Sequence, residues 1–222
     1  GARGGGGGAG GRRAGGGRGT GSGGVAGGAN PAGTLPFTLE GPAAATGSGA
    51  AIFTKAVTVA DNGSYVSTAF VTTVAGTHRW IATYGGDTSN VAVVGACGDA
   101  AESVVVTAAS PTLTTAASAS VKVGIAITDS ATLALGSKPT GTITYALYGP
   151  DDATCATAPI FATTKAVNGN AKYTSAAFIP SQPGTYRWIA AYGGNAANDP
   201  VSGACNDAGE SVVITKATPT LA

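Results

Sequence analysis

Residues 184–195 read Gly184-Thr-Tyr-Arg-Trp-Ile-Ala-Ala-Tyr-Gly-Gly-Asn195, and their alternation decides the fold class. Tyr186, Trp188, Ala190 and Tyr192 fall on one side of an extended chain, and Arg187, Ile189 and Ala191 on the other. A repeat of two is the signature of a strand, because successive side chains of a helix turn by 100° rather than 180°. Residues 142–148 alternate in the same way, with Ile143, Tyr145 and Leu147 on one face. So do residues 121–127, which put Val121, Val123, Ile125 and Ile127 together. Further strands are expected at 112–118, 160–167, 172–179 and 211–216. Turn formers separate them: Gly149-Pro-Asp-Asp152, Asn168-Gly-Asn170, Ser181-Gln-Pro-Gly184 and Gly193-Gly-Asn195. No helix start is followed by an amphipathic run. The expected fold class is all-β.

The chain repeats itself. A shift of 108 residues aligns positions 31–113 on 139–221 without a gap, with 42 identities in 83 positions. Gly76-Thr-His-Arg-Trp-Ile-Ala-Thr-Tyr-Gly-Gly86 matches the stretch quoted above. Gly95-Ala-Cys-Gly-Asp-Ala-Ala-Glu-Ser-Val-Val105 matches Gly203-Ala-Cys-Asn-Asp-Ala-Gly-Glu-Ser-Val-Val213. This period is too long for a solenoid unit of roughly 20–50 residues and fits an array of whole domains. Seven short strands in about 108 residues is the count of a two-sheet sandwich.

Composition sets the first 29 residues apart. Of the 37 glycines, 17 lie in residues 1–30. Four of the 12 basic residues (Arg3, Arg12, Arg13 and Arg18) lie there too, leaving 8 against 11 acidic ones, a balance of −3. That gives no basic footprint for nucleic acid, and the tail has no aromatic residue on which bases could stack. Under the 108-residue offset, Leu113, Val121, Val123, Ile125, Ile127 and Leu135 of the second copy face Gly5, Arg13, Gly15, Gly17, Gly19 and Gly27. Polyglycine has no apolar surface to offset its backbone entropy. Residues 1–29 are therefore expected to be disordered, and the first copy to lack its initial strands. Gly, Ala and Arg are what GC-rich DNA encodes, so the tail reads as a fragmentary or frame-shifted stretch, with a flexible glycine linker as the alternative. No apolar run reaches the ~18 residues of a membrane span, so no direct membrane insertion is expected, and no secretion signal is visible.

Pro139-Thr-Gly-Thr-Ile-Thr-Tyr145 followed by Gly184-Thr-Tyr-Arg-Trp and Tyr192-Gly-Gly-Asn195 resembles the bacterial Ig-like repeat domains of large cell-surface and secreted proteins. Those repeats pair a Pro-Thr-Gly-Thr strand with a Gly-Thr-aromatic strand ending in Tyr-x-Gly-Asp. Asp87 keeps the final Asp in the first copy, and Asn195 replaces it in the second. The resemblance covers residues 31–222 and implies tandem immunoglobulin-like β-sandwiches. The expected organisation is a tail at 1–29, a truncated repeat at 30–108, a complete repeat at 109–217, and the start of a further repeat or a linker at 218–222.

Chemistry-bearing residues are few: one His, three Cys and no Met. Cys97 and Cys205 are equivalent, whereas the equivalent of Cys155 is Gly47. A Cys155–Cys205 disulfide would close a loop of about 50 residues in the second copy and contribute at most roughly 4 kcal/mol; the alternative is two free buried thiols. Cys97 is then left over. His78 shares its slot with Tyr186, so it is a packing residue and not a catalytic base. Asp87, Asp99 and Glu102 in the first copy, and Asp151, Asp152, Asp199, Asp207 and Glu210 in the second, read as solvated loop residues. No dense Asp ladder of the kind calcium needs is present. Trp80 and Trp188 read as core aromatics, with Arg79 and Arg187 pointing outward to bond across a sheet or to meet a ligand.

These features point away from an enzyme and imply no cofactor, metal or catalytic residue. They point to a structural or stalk module that spaces or presents other domains at the cell surface or outside the cell. Its partners would be neighbouring Ig-like repeats of the same chain. The alternative is an adhesin or carbohydrate-binding module using the sandwich loops, with a cell-surface protein or glycan as partner.

Overall fold

A computed structural model describes residues 17–44, 46–47, 49–99 and 101–221. The described residues contain strands and no helix, and the chain divides into two units, Gly1–Ala108 and Ala109–Ala222. Unit 1 holds β1 (Gly17–Gly19), β2 (Ser22–Val25), β3 (Gly33–Glu40), β4 (Ala51–Val59), β5 (Gly63–Val66), β6 (Phe70–Thr72), β7 (Gly76–Tyr84), β8 (Val93–Val94) and β9 (Ser103–Val106). Unit 2 holds β10 (Thr112–Ala117), β11 (Val121–Lys122), β12 (Asp129–Ala134), β13 (Thr140–Tyr148), β14 (Phe161–Asn168), β15 (Lys172–Thr174), β16 (Gly184–Tyr192), β17 (Val201–Ser202) and β18 (Ser211–Thr215). Each unit is layered like a sandwich.

In unit 2 the larger sheet runs β11-β18-β16-β13-β14, with β17 also on β16, and faces a sheet β10-β12-β15. Alternation along β13 and β16 delivers the core: Ile143, Tyr145, Leu147, Trp188, Ala190 and Tyr192 are all at most 1% exposed. Ile127, Ala131 and Leu133 meet them from the opposite layer. Phe161 sets its ring edge-on to Trp188, with centroids 6.1 Å apart. Unit 1 repeats the device with Phe53 and Trp80 at 5.8 Å, around a smaller core of Leu35, Phe37, Leu39, Val59, Trp80 and Tyr84.

Two expectations about strands are corrected. Residues 121–127 are not one strand: β11 stops at Lys122, and Gly124 takes φ +87° in a turn closed by Ile125 N–H donating to Lys122 O. Ile125 is thereby turned out, 54% exposed, while Ile127 is fully buried. The second strand of the repeat is instead β12, and Leu135 just beyond it sits at φ +61° with its side chain in solvent.

The second correction concerns the tail. Residues 1–16 lie outside the described residues, but residues 17–25 are not disordered, and unit 1 does not lack both initial strands. β1 pairs antiparallel with β6, and β2 with β5. Gly21, buried between them, donates its N–H to Ser67 Oγ and accepts from Ser67 N–H, both at 2.8 Å. Glycine works here because aromatic rings occupy the space a side chain would take. A Cβ on Gly21 would lie 2.7 Å from Trp80 and 2.9 Å from Phe37. Backbone packed on rings replaces the side-chain burial that the composition lacks. Gly21→Ala should therefore destabilise unit 1 by about 1–3 kcal/mol through overpacking. Urea titration of the chain checks this, and a variant that unfolds with the parent would refute it.

Candidate functional site

The loops at one end of unit 2 converge on a disulfide. Cys155 and Cys205 are joined with an S–S distance of 2.03 Å and a Cα–Cα distance of 5.9 Å. The Asp152 carboxylate organises the first loop. It accepts from the N–H groups of Thr154, Ala156 and Thr157, and from Thr157 Oγ1 at 2.6 Å. The Thr157 hydroxyl, above all, holds its pKa down at about 2. Arg187 braces the two loops, donating to Asn206 Oδ1 and, at 3.2 Å, to Asp152 O. Asn206 in turn donates to Ala153 O at 2.7 Å. Asp207 accepts from Ala204 N–H and Asp151 from Thr185 N–H. These acids and this arginine spend their bonds on the loops themselves.

Unit 1 carries the same site without its staple. Cys97 is a free, half-buried thiol, and a Cβ on Gly47 would fall 2.5 Å from its Cβ and 2.9 Å from its Sγ. Gly47 has φ +75°, in the left-handed region that Cys155 also occupies at φ +50°. Gly47→Cys should therefore form a bridge to Cys97 after a small shift, and raise the stability of unit 1 by roughly 2–4 kcal/mol. Non-reducing mass spectrometry and calorimetry would show it; a Gly47→Cys chain that keeps two free thiols would refute it.

His78 is 1% exposed, and its Nε2 meets Val74 O at 2.9 Å and Thr72 Oγ1 at 3.3 Å. Tyr186 donates its hydroxyl to Gln182 O, the equivalent carbonyl, at 3.0 Å. The two side chains make one structural bond in two ways. Trp80 and Trp188 are 2% and 0% exposed, and Arg79 is half-buried, with guanidinium bonds to the Ala44 and Thr77 carbonyls. Asp87 closes the loop after β7. It accepts from Ala32 N–H, Ser89 N–H, Asn90 Nδ2 and, at 2.7 Å, from the Tyr84 hydroxyl, and these donors hold its carboxyl well below the usual range. Asn195 does the same work in unit 2 through Ala197 N–H and Asn198 Nδ2. Among the described residues, no group of three His, Cys, Asp or Glu is placed to hold a metal.

Two equivalent acids, Glu102 and Glu210, are not solvated as their loop position suggests. They are 8% and 1% exposed, beside the last strand of each unit, and burial raises both pKa values, Glu210's to about 7. Asp129, which sequence reasoning passed over, is fully buried and pushed up to about 6 by desolvation. Neither Asp129 nor Glu210 has a carboxylate oxygen in a well-formed hydrogen bond among the described residues. A hydrophilic residue inside an alternating strand was the available signal: Asp129 shares its face with Ala131 and Leu133.

Unit 1 also has a cavity of about 110 Å³. Val25, Leu35, Trp80, Tyr84 and Val93 line its apolar side, and Asp99 and Glu102 its acidic side.

No family model matches the chain, and no curated protein matches it. Among solved structures, red sea bream transglutaminase aligns over 93% of this chain with a TM-score of 0.33 and 13% identity, and the chain spans 30% of that protein's length. At that score the likeness assigns neither a fold family nor an activity.

Proposed function

We propose that the chain is a non-enzymatic structural module: tandem Ig-like sandwiches that space or present other domains at a cell surface or outside the cell. The carrying observation is the pairing of β11 with β18, parallel, with Val121 opposite Ile214 and Lys122 opposite Thr215. Val123 N–H donates to Thr215 O, and Val213 N–H to Ser120 Oγ, both at 3.0 Å. Tension entering at Ala109 meets β10 first and then this pair. Because β11 leads in from the N-terminal side and β18 leads out toward the C-terminus in parallel, a pull shears all these bonds at once instead of unzipping them singly.

Supporting features are the engagement of His78, Arg187 and the loop acids in structural bonds, and the five residues between β9 and β10. The disulfide is compatible with an extracellular location. Single-molecule pulling from the chain ends tests the reading. Val123→Pro removes one donor of the clamp and should lower the unfolding force of unit 2 by more than its loss of thermal stability explains. An unchanged force, or a loss in strict proportion to thermal stability, would count against a load-bearing role.

A further inference from the structure

The unit 1 cavity occupies the place that β10 fills in unit 2. Shifted by 108 residues, its lining residues Val25, Tyr84, Val93, Asp99 and Glu102 become Leu133, Tyr192, Val201, Asp207 and Glu210. In unit 2, β10 pairs with β12, setting Leu113 opposite Leu133, and touches β16 and β17. Leu113 and Ala117 pack on the core, and the Thr115 hydroxyl lies beside Glu210. Three alternate side chains of one strand thus face this place: leucine, threonine and alanine. Under the 108-residue offset the aligned residues are Gly5, Gly7 and Ala9, which lie outside the described residues and carry nothing larger than a methyl group. Among the described residues, the space in unit 1 is about 110 Å³, on the scale of the ~150 Å³ apolar cavities that take up benzene.

We infer that this cavity is an acceptor for the first β-strand of another repeat of this kind, carried by a second chain and shaped as Leu-x-Thr-x-Ala. The leucine would enter between Val25, Leu35 and Trp80, opposite Val25 in the register Leu113 keeps with Leu133. The threonine hydroxyl would donate to Glu102, as Thr115 lies by Glu210, and backbone bonds would run along β2, the mode of recognition by strand addition. This sequence itself contains a second opening of such a strand. Residues 217–221, Ala-Thr-Pro-Thr-Leu, repeat Ala109-Ser-Pro-Thr-Leu113, and Leu221 is fully exposed.

The test titrates the full-length chain with a synthetic peptide of residues 110–118, Ser-Pro-Thr-Leu-Thr-Thr-Ala-Ala-Ser, observed by NMR. The expected result is a saturable shift of the Trp80 indole N–H with the Trp188 indole unmoved, and an amide contact between the peptide leucine and Val25. Replacing that leucine by glycine should weaken binding roughly tenfold or more, the effect of one buried leucine side chain. No shift at Trp80, equal shifts at both indoles, or equal binding of the glycine peptide would overturn the inference. So would binding seen only after deletion of residues 1–16, since the chain's own tail would then hold the seat.

Discussion

Reducing the Cys155–Cys205 bridge lowers the melting temperature of unit 2 by roughly 10–20 °C and leaves the transition of unit 1 in place. The bridge spans 50 residues, and closing a loop of that length in the unfolded chain removes entropy equivalent to about 4 kcal/mol at 25 °C. The native geometry supports realising most of it. The Cα–Cα separation of 5.9 Å is within the ordinary range for a bridge, and the loops are fixed independently by Asp152, Arg187 and Asn206. Those bonds survive reduction, so the folded state changes little and the effect falls on the unfolded chain. Cys97 has no partner in unit 1, and reductant has nothing to break there. Calorimetry with and without reductant, together with Cys155→Ser, reads the shift. A single transition indifferent to both would contradict the separate stabilities of the two units.

The second large effect is a loss of stability in unit 2 as pH rises. Asp129 and Glu210 both have folded pKa values above their ordinary ones, near 6 and 7, and burial is the main cause. The Ser130 and Ala116 backbone beside Asp129, and the Thr115 side chain beside Glu210, offset it only in part. A folded state that holds protons more tightly than the unfolded one loses stability with increasing pH between the two pKa values. Unit 2 should therefore be most stable near pH 4, weaken through pH 5–7, and level off above. Each carboxyl is worth on the order of 3 kcal/mol at the plateau, from a shift of about two units. Asp129 also raises Glu210, so their effects do not add. Asp152, held down at about 2, opposes them only below pH 4. Tyr145, pushed up to about 12 by burial and then by Asp129, stays neutral throughout and donates to Tyr173 O. Asp129→Asn with Glu210→Gln should flatten the curve and raise the melting temperature at pH 8 by about 10 °C. An unaltered slope between pH 5 and 7 in that double variant would rule out these two groups as its source.

The strands legible in the sequence were those whose apolar side chains alternate without interruption. β13, β16 and their partners in unit 1 follow from Tyr145, Leu147, Trp188 and Tyr192 and from the repeat. β12 was not legible, because its inward residues, Asp129, Ala131 and Leu133, include an acid and a methyl group. Residues 121–127 misled because their alternation continues through Gly124, where the backbone turns. β1 and β2 were invisible for a different reason: glycine carries no period, and what holds Gly21 and Gly23 in place belongs to Trp80, Phe37 and Ala82 on other strands. At the candidate sites, two equivalent cysteines with one odd partner were enough to expect the bridge. The buried state of Glu210 was not, since a charged residue in a loop is usually solvated. Nor was the cavity, whose lining comes from β2, β3, β7 and β8 and from the loops beside them.

The bridge also sets how far the module can lengthen. Pulled from its ends, an unfolded unit 2 of 114 residues would reach a contour length of about 39 nm at ~3.4 Å per residue. The 50 residues between Cys155 and Cys205 are shunted by the S–S bond, which removes about 17 nm of slack. An oxidised unit 2 therefore yields little more than half the extension of a reduced one, and the redox state of its surroundings would fix the maximum travel of anything attached to its ends.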